Sequence, residues 1–144
     1  MFRRGWHFGF IILLQFCSRS RWTTMPLSLV PHSSGDITVL HCSGRIVAGP
    51  EIDVLRKHIN SLLPGCRYIL LDLEKITFID SMGMGELVHM LTSARRCGGD
   101  LKLCNISAST VRVLRVTNLH KVFEITETEE HGLNSFRSSK IGHA

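Results

Sequence analysis

Apolar positions along this chain switch repeatedly between two spacings, and the switches mark out its elements. Asp36-Ile37-Thr38-Val39-Leu40-His41 has strand character, Ser43-Gly44-Arg45 breaks it, and Ile46-Val47 resumes it, which reads as a hairpin or a bulged strand pair. Ala48-Gly49-Pro50-Glu51 then opens a helix, with Pro50 at a first helical position where its missing N–H costs nothing. Ile52, Leu55, Ile59 and Leu62 form a helical stripe, and Pro64-Gly65 ends it. Tyr68 to Leu73 is a near-continuous apolar run of strand length, the pattern of a strand covered on both faces.

A second helix is predicted from Asp80 to about Cys97, with Met84, Leu87, Val88 and Leu91 on one face and Gly98-Gly99 as its stop. Asp100 to Cys104 reads as a short strand, and Ser107 as the cap of a third helix containing Val111, Leu114 and Arg115. Asn118 suits a left-handed residue at that helix's end. Val122-Phe123-Glu124-Ile125 is the last predicted strand. Thr128-Glu129-Glu130 starts a short closing helix with Leu133 and Phe136 inward, weakened by Gly132. Strands alternating with helices after an initial hairpin predict an α/β domain with a mixed central sheet.

Composition changes this picture only at the N-terminus. With 144 residues and 44% apolar content, one compact domain is expected. The net charge of +5 suggests a nucleic-acid binder until it is located. Arg3, Arg4, Arg19 and Arg21 precede Met25 with no acidic residue among them, whereas 13 Lys and Arg face 12 Asp and Glu from Met25 onward. The folded part is nearly neutral, which argues against direct nucleic-acid binding.

Residues 1–24 imitate a secretory signal, but the apolar run Phe8–Cys17 is about half of the ~20 residues a membrane span needs. Polar, basic residues follow it in place of a small-residue cleavage site, and Phe16 is too bulky for a lipoprotein site at Cys17. An over-extended start with Met25 as the initiator, a weak anchor and a disordered tail all fit, and the first is preferred. The expected organisation is a leader at 1–24, one domain at 25–136 and a flexible tail at 137–144, with membrane contact only if the leader is real. Five scattered cysteines without a C-x-x-C pair fit a reducing cytoplasm. Eight histidines show no ligand spacing, so neither a metal nor a cofactor is expected, and His89 and His120 are given no ligand or catalytic role.

The most informative stretch is Phe78-Ile79-Asp80-Ser81-Met82-Gly83-Met84-Gly85, between the apolar strand and the second helix. It puts a serine hydroxyl beside a carboxylate where a helix begins, with two glycines keeping the nearby surface low. Read alone, Asp80 and Ser81 are helix caps, Gly83 and Gly85 serve close packing, and Met82 and Met84 are core or rim residues. Neither a G-x-S-x-G elbow nor a following Ser–Asp–His order is present, so a serine hydrolase is disfavoured and no enzyme activity is expected.

Three blocks resemble the STAS domain of bacterial anti-sigma factor antagonists. They are Leu40-His41-Cys42-Ser43-Gly44-Arg45-Ile46, Leu71-Asp72-Leu73 through Gly85, and Gly98-Gly99-Asp100-Leu101-Lys102-Leu103-Cys104-Asn105 continuing to Phe123. The resemblance implies a mixed sheet flanked by about four helices and a partner-switching role in transcription. In that family the unmodified protein binds an anti-sigma factor that is also a serine kinase, freeing a sigma factor. Phosphorylation of the serine after the motif's aspartate ends binding, and a phosphatase reverses it. By position the acceptor is Ser81, and the implied partner-binding residues are Asp80, Ser81, Met82, Gly83, Met84, Gly85 and Arg45. Met82 stands where a second Ser or Thr is common, and Asn118 where Gly is frequent. The same resemblance also fits a non-switching scaffold subunit of a stressosome-like or lipid-transport complex.

Overall fold

The computed structural model describes residues 26–65 and 67–142, so the expectations placed on the leader lie outside the described residues. Five strands form one sheet in the order β1 (Ser28–Ser34), β2 (Ile37–Ile46), β3 (Tyr68–Ile79), β4 (Asp100–Cys104) and β5 (Ile125–Thr126). The first pair is an antiparallel hairpin and every later pair is parallel, which makes the sheet mixed. Helices α1 (Pro50–Leu62), α2 (Ser81–Arg96), α3 (Ala108–Val116) and α4 (Glu129–Gly142) connect or follow the strands, with a 3-10 turn at Leu119–Lys121.

Alternation along the strands divides the interior in two. Leu40 and Cys42 of β2, Ile69, Leu71 and Leu73 of β3, and Leu101 and Leu103 of β4 face the larger core with Leu55, Ile59, Leu87, Met90, Leu91 and Leu114 of the helices. Burying each such side chain contributes about 1.5–3 kcal/mol. Ile37, Val39, Leu70 and Cys104 point to the opposite face and form a smaller core with Phe136 of α4. The central run is covered on both sides, as its composition requires. Burial pushes the Cys42 and Cys104 thiols up to about 12, with the Asp72 carboxylate adding to the shift, so both remain protonated, small apolar groups.

The initial pair is a hairpin, but its partner strand precedes the one read from sequence. Ser28–Ser34 turns at Gly35-Asp36 into β2, and the Ser43-Gly44-Arg45 segment stays within β2 as an irregular stretch. Register shifts between His41 and Ser43 and between Gly44 and Arg45 let β3 run on to Ile79. The last predicted strand is displaced to Ile125–Thr126; Phe123 instead leaves the sheet and fills the larger core.

The expected tail at 137–144 is also corrected, because α4 continues through Gly142. Arg137 donates to Ser34 Oγ at 3.2 Å, and Ser139 Oγ donates to the Ser135 carbonyl at 3.0 Å within the helix. A buried Lys102 beneath α4 holds Glu124 at 2.6 Å and donates to Ser135 Oγ at 2.6 Å, with its ammonium over the Phe136 ring. Ser135 also donates to Glu124. Burial works against the Glu124 charge, yet hydrogen bonds from Lys102 and Ser135 and the ammonium charge hold its carboxyl below the usual range.

Candidate functional site

Helix α2 begins where it does because Asp80 is a complete N-cap. Its backbone is extended, Oδ1 accepts the Gly83 N–H at 2.7 Å, and the Asp80 carbonyl accepts the first intrahelical bond from Met84 at 2.9 Å. Oδ2 reaches across to the loop before α1 and accepts the Ala48 N–H at 3.0 Å, while the Asp80 N–H donates to the Ile46 carbonyl at 3.2 Å. One residue thus ties the ends of β2 and β3 to the starts of two helices. Desolvation alone would raise its pKa, but the backbone hydrogen bonds from Ala48, Gly83 and Met82 outweigh it and hold the carboxyl below the usual carboxylate range.

A stability consequence follows with a definite sign. A depressed carboxyl contributes stability above its unfolded value, near pH 4, and loses it as pH falls through the lower folded value. Replacing Asp80 by Ala is expected to cost about 1 kcal/mol at neutral pH. It should also flatten the acid limb of stability below about pH 4. Urea unfolding of both proteins between acid and neutral pH checks this; parallel pH profiles would contradict the role given to the carboxylate.

Ser81, the first residue of α2, is exposed, and its hydroxyl makes no hydrogen bond to another described residue. Met82 beside it is 60% exposed, and Phe78 at the end of β3 is 54% exposed. Both are exposed apolar side chains within three residues of Ser81 in the chain. The exposure of Phe78 was not anticipated from the sequence; it lies beyond two register shifts between β2 and β3, which have no sequence signal of their own.

The two glycines separate in role. A Cβ at Gly83 would lie 2.2 Å from the Ile46 carbonyl oxygen, so this glycine lets α2 sit against the end of β2. A Cβ at Gly85 would meet nothing within 4 Å, so its bareness serves the exterior surface and not the packing.

Gly83 and Met84 are therefore corrected as contact residues. Gly83 is buried under the strand end and Met84 is 5% exposed within the larger core, whereas Asp80, Ser81, Met82 and Gly85 stay at the surface. Arg45 is half-buried on β2 opposite Phe78, and its Nε is buried without a hydrogen bond. Behind the first turn, buried Glu86 of α2 accepts from Arg56 of α1 at 2.7 and 3.2 Å, holding the two helices in a fixed relation.

A family model described as STAS domain matches residues 29–132. The anti-sigma-B factor antagonist of Bacillus subtilis is 30% identical over 92 residues, covering 60% of this chain and 84% of that protein. The anti-sigma F factor antagonist of Paenibacillus polymyxa is 28% identical over 68 residues, covering 47% of this chain and 58%, less than two thirds, of that relative. Among solved structures, the tm1081 protein of Thermotoga maritima superposes with a TM-score of 0.71 at 24% identity, covering 76% of this chain and 94% of its own. Among the described residues, no helix is long and apolar enough to cross a membrane.

Proposed function

The chain belongs to the STAS domain family, and from that premise we propose that it is an anti-sigma factor antagonist switched by phosphorylation of Ser81. In this reading the unmodified protein is a non-enzymatic binding module acting in the cytoplasm. Its partner is an anti-sigma factor with serine kinase activity, and a phosphatase restores the unmodified form. The names of the relatives from Bacillus subtilis and Paenibacillus polymyxa support the general role.

The observation that carries the switch is the exposed, unbonded Ser81 hydroxyl at the head of α2, followed in the chain by exposed Met82 and by the bare surface of Gly85. A kinase can reach it without unfolding anything. Phosphorylation adds about −1.5 to −2 charge and three acceptor oxygens there. The helix dipole favours an anion at its N-terminus, so the domain keeps its shape while the surface seen by a partner changes. A partner packed over Ser81 and Met82 would have to bury that charge or expel it. The neighbouring Asp80 carboxylate, anchored by two backbone N–H groups, is not free to move aside or serve as a base.

Incubation with such a kinase and ATP, followed by phosphosite mapping, tests this reading. Label is expected on Ser81 and on no other residue, and it should vanish in Ser81→Ala. Label persisting in Ser81→Ala would remove the switch from this position.

A further inference from the structure

On the opposite face of the sheet, His41, Asp72 and Glu129 come together from three elements 31 and 57 residues apart in sequence. His41 and Asp72 are directly paired across β2 and β3, and His41 Nδ1 lies 2.9 Å from Asp72 Oδ2. The other carboxylate oxygen accepts the Glu74 N–H at 3.0 Å and Asn105 Nδ2 at 3.1 Å, so buried Asp72 is fully committed. The imidazole is thereby fixed from behind with Nε2 turned to the first turn of α4, 3.9 Å from Glu129 Oε1. His32, exposed on the edge strand β1, has its ring centroid 6.5 Å from that of His41. A cleft of about 340 Å³ lies against this group, lined also by Glu74, Lys75 and Asn105.

A histidine whose second nitrogen is held by a buried carboxylate, facing another carboxylate across an open cleft, has the arrangement of a metal ligand with its orienting partner. We propose that His41 Nε2, Glu129 and His32 bind a divalent transition-metal ion of the Zn²⁺ class, with Asp72 as the positioning residue. Imidazole and carboxylate donors suit Zn²⁺, whose bonds to nitrogen and oxygen are about 2.0–2.2 Å. An ion at those distances fits between Nε2 and Oε1 after a movement of about 0.5 Å by the Glu129 carboxylate, and His32, its ring centroid 6.5 Å from that of His41, would turn to supply the third donor. The remaining position is left to water.

Bound there, the ion ties the hairpin to the start of α4 across the smaller core. Asp72 and Ile79 are seven residues apart on β3, about 23 Å at strand rise, so this site and the Ser81 surface are separate. Among the described residues no other group of three His, Cys, Asp or Glu converges in this way.

Calorimetric titration of the metal-free full chain with Zn²⁺ tests the assignment, with Co²⁺ absorption as a second readout. One tight equivalent is expected, with affinity at least tenfold lower in each of His41→Gln, Glu129→Gln and His32→Gln. Asp72→Asn should weaken binding about 10–100-fold without removing a ligand. Should Asp72→Asn fail to fold, Glu129→Gln, at a half-buried helix start, still decides the matter, because its metal-free melting temperature should match the parent. Unchanged affinity in both Glu129→Gln and His41→Gln would overturn the site, and unchanged affinity in His32→Gln alone would overturn the three-ligand set.

Discussion

Gly83→Ala is expected to destabilise the domain by about 2–3 kcal/mol, while Gly85→Ala, two residues away on the same helix, stabilises it by about 0.5–1 kcal/mol. Helix propensity favours alanine equally at both positions, so a propensity argument alone predicts two gains. Packing decides otherwise. The new methyl at Gly83 would press on the Ile46 carbonyl oxygen, a backbone atom that cannot swing away. Relief requires α2 to lift from the end of β2, which also stretches the Gly83 N–H bond to Asp80 and the Asp80 N–H bond to Ile46. At Gly85 the methyl enters open space. Chemical denaturation of the two variants measures the difference directly. Equal shifts in one direction would mean that α2 is not seated on the strand end as described.

The second large effect concerns binding. Ser81→Asp is expected to lower affinity for the anti-sigma factor at least ~100-fold, about 2.8 kcal/mol, with an unchanged unfolding midpoint. An anion at the head of α2 is tolerated by the fold because Ser81 is exposed and the helix dipole favours negative charge there. A partner seated over Ser81 and Met82 would have to desolvate it. Taking a complex from about 99% bound to about 99% free needs about 5.5 kcal/mol, and the larger charge of a phosphoryl group is expected to act more strongly than Asp. Ser81→Ala, which adds no charge, should bind like the parent. Binding by Ser81→Asp at parental affinity, measured by titration calorimetry, would separate Ser81 from the docking surface.

Much of this site was legible because its signals are local. Pro50 opens α1, Ser107 accepts the Thr110 N–H at 3.2 Å as the cap of α3, and Asn118 adopts the left-handed conformation at φ 62°. Each is a property of one residue and its near neighbours. Asp80 as cap and Ser81 as first helical residue follow from the same kind of signal.

What was hidden depends on tertiary position. Strand β1 carries Pro31, His32 and three serines, and as a largely exposed edge it has no apolar alternation to reveal it. The stretch of β3 after Leu73 contains exposed Glu74, Lys75 and Thr77 interspersed with the core residues Ile76 and Ile79, and its register shifts against β2 break the strict alternation a strand would show. The motif's own residues divided in a way the sequence does not display: Gly83 and Gly85 are the same residue type two positions apart, and only the nearby Ile46 carbonyl distinguishes them. The convergence of His41, Asp72 and Glu129 depends on strand pairing and on the seating of α4, so spacing along the chain carries no trace of it.

The central claim is that modification of a single accessible hydroxyl changes what this surface can hold. Titration of the anti-sigma factor with the unmodified chain and with the chain phosphorylated at Ser81 measures that claim most directly. The unmodified chain should form a complex, and the phosphorylated one should bind at least ~100-fold more weakly with an unaltered circular dichroism spectrum. Equal affinities for the two forms would contradict it.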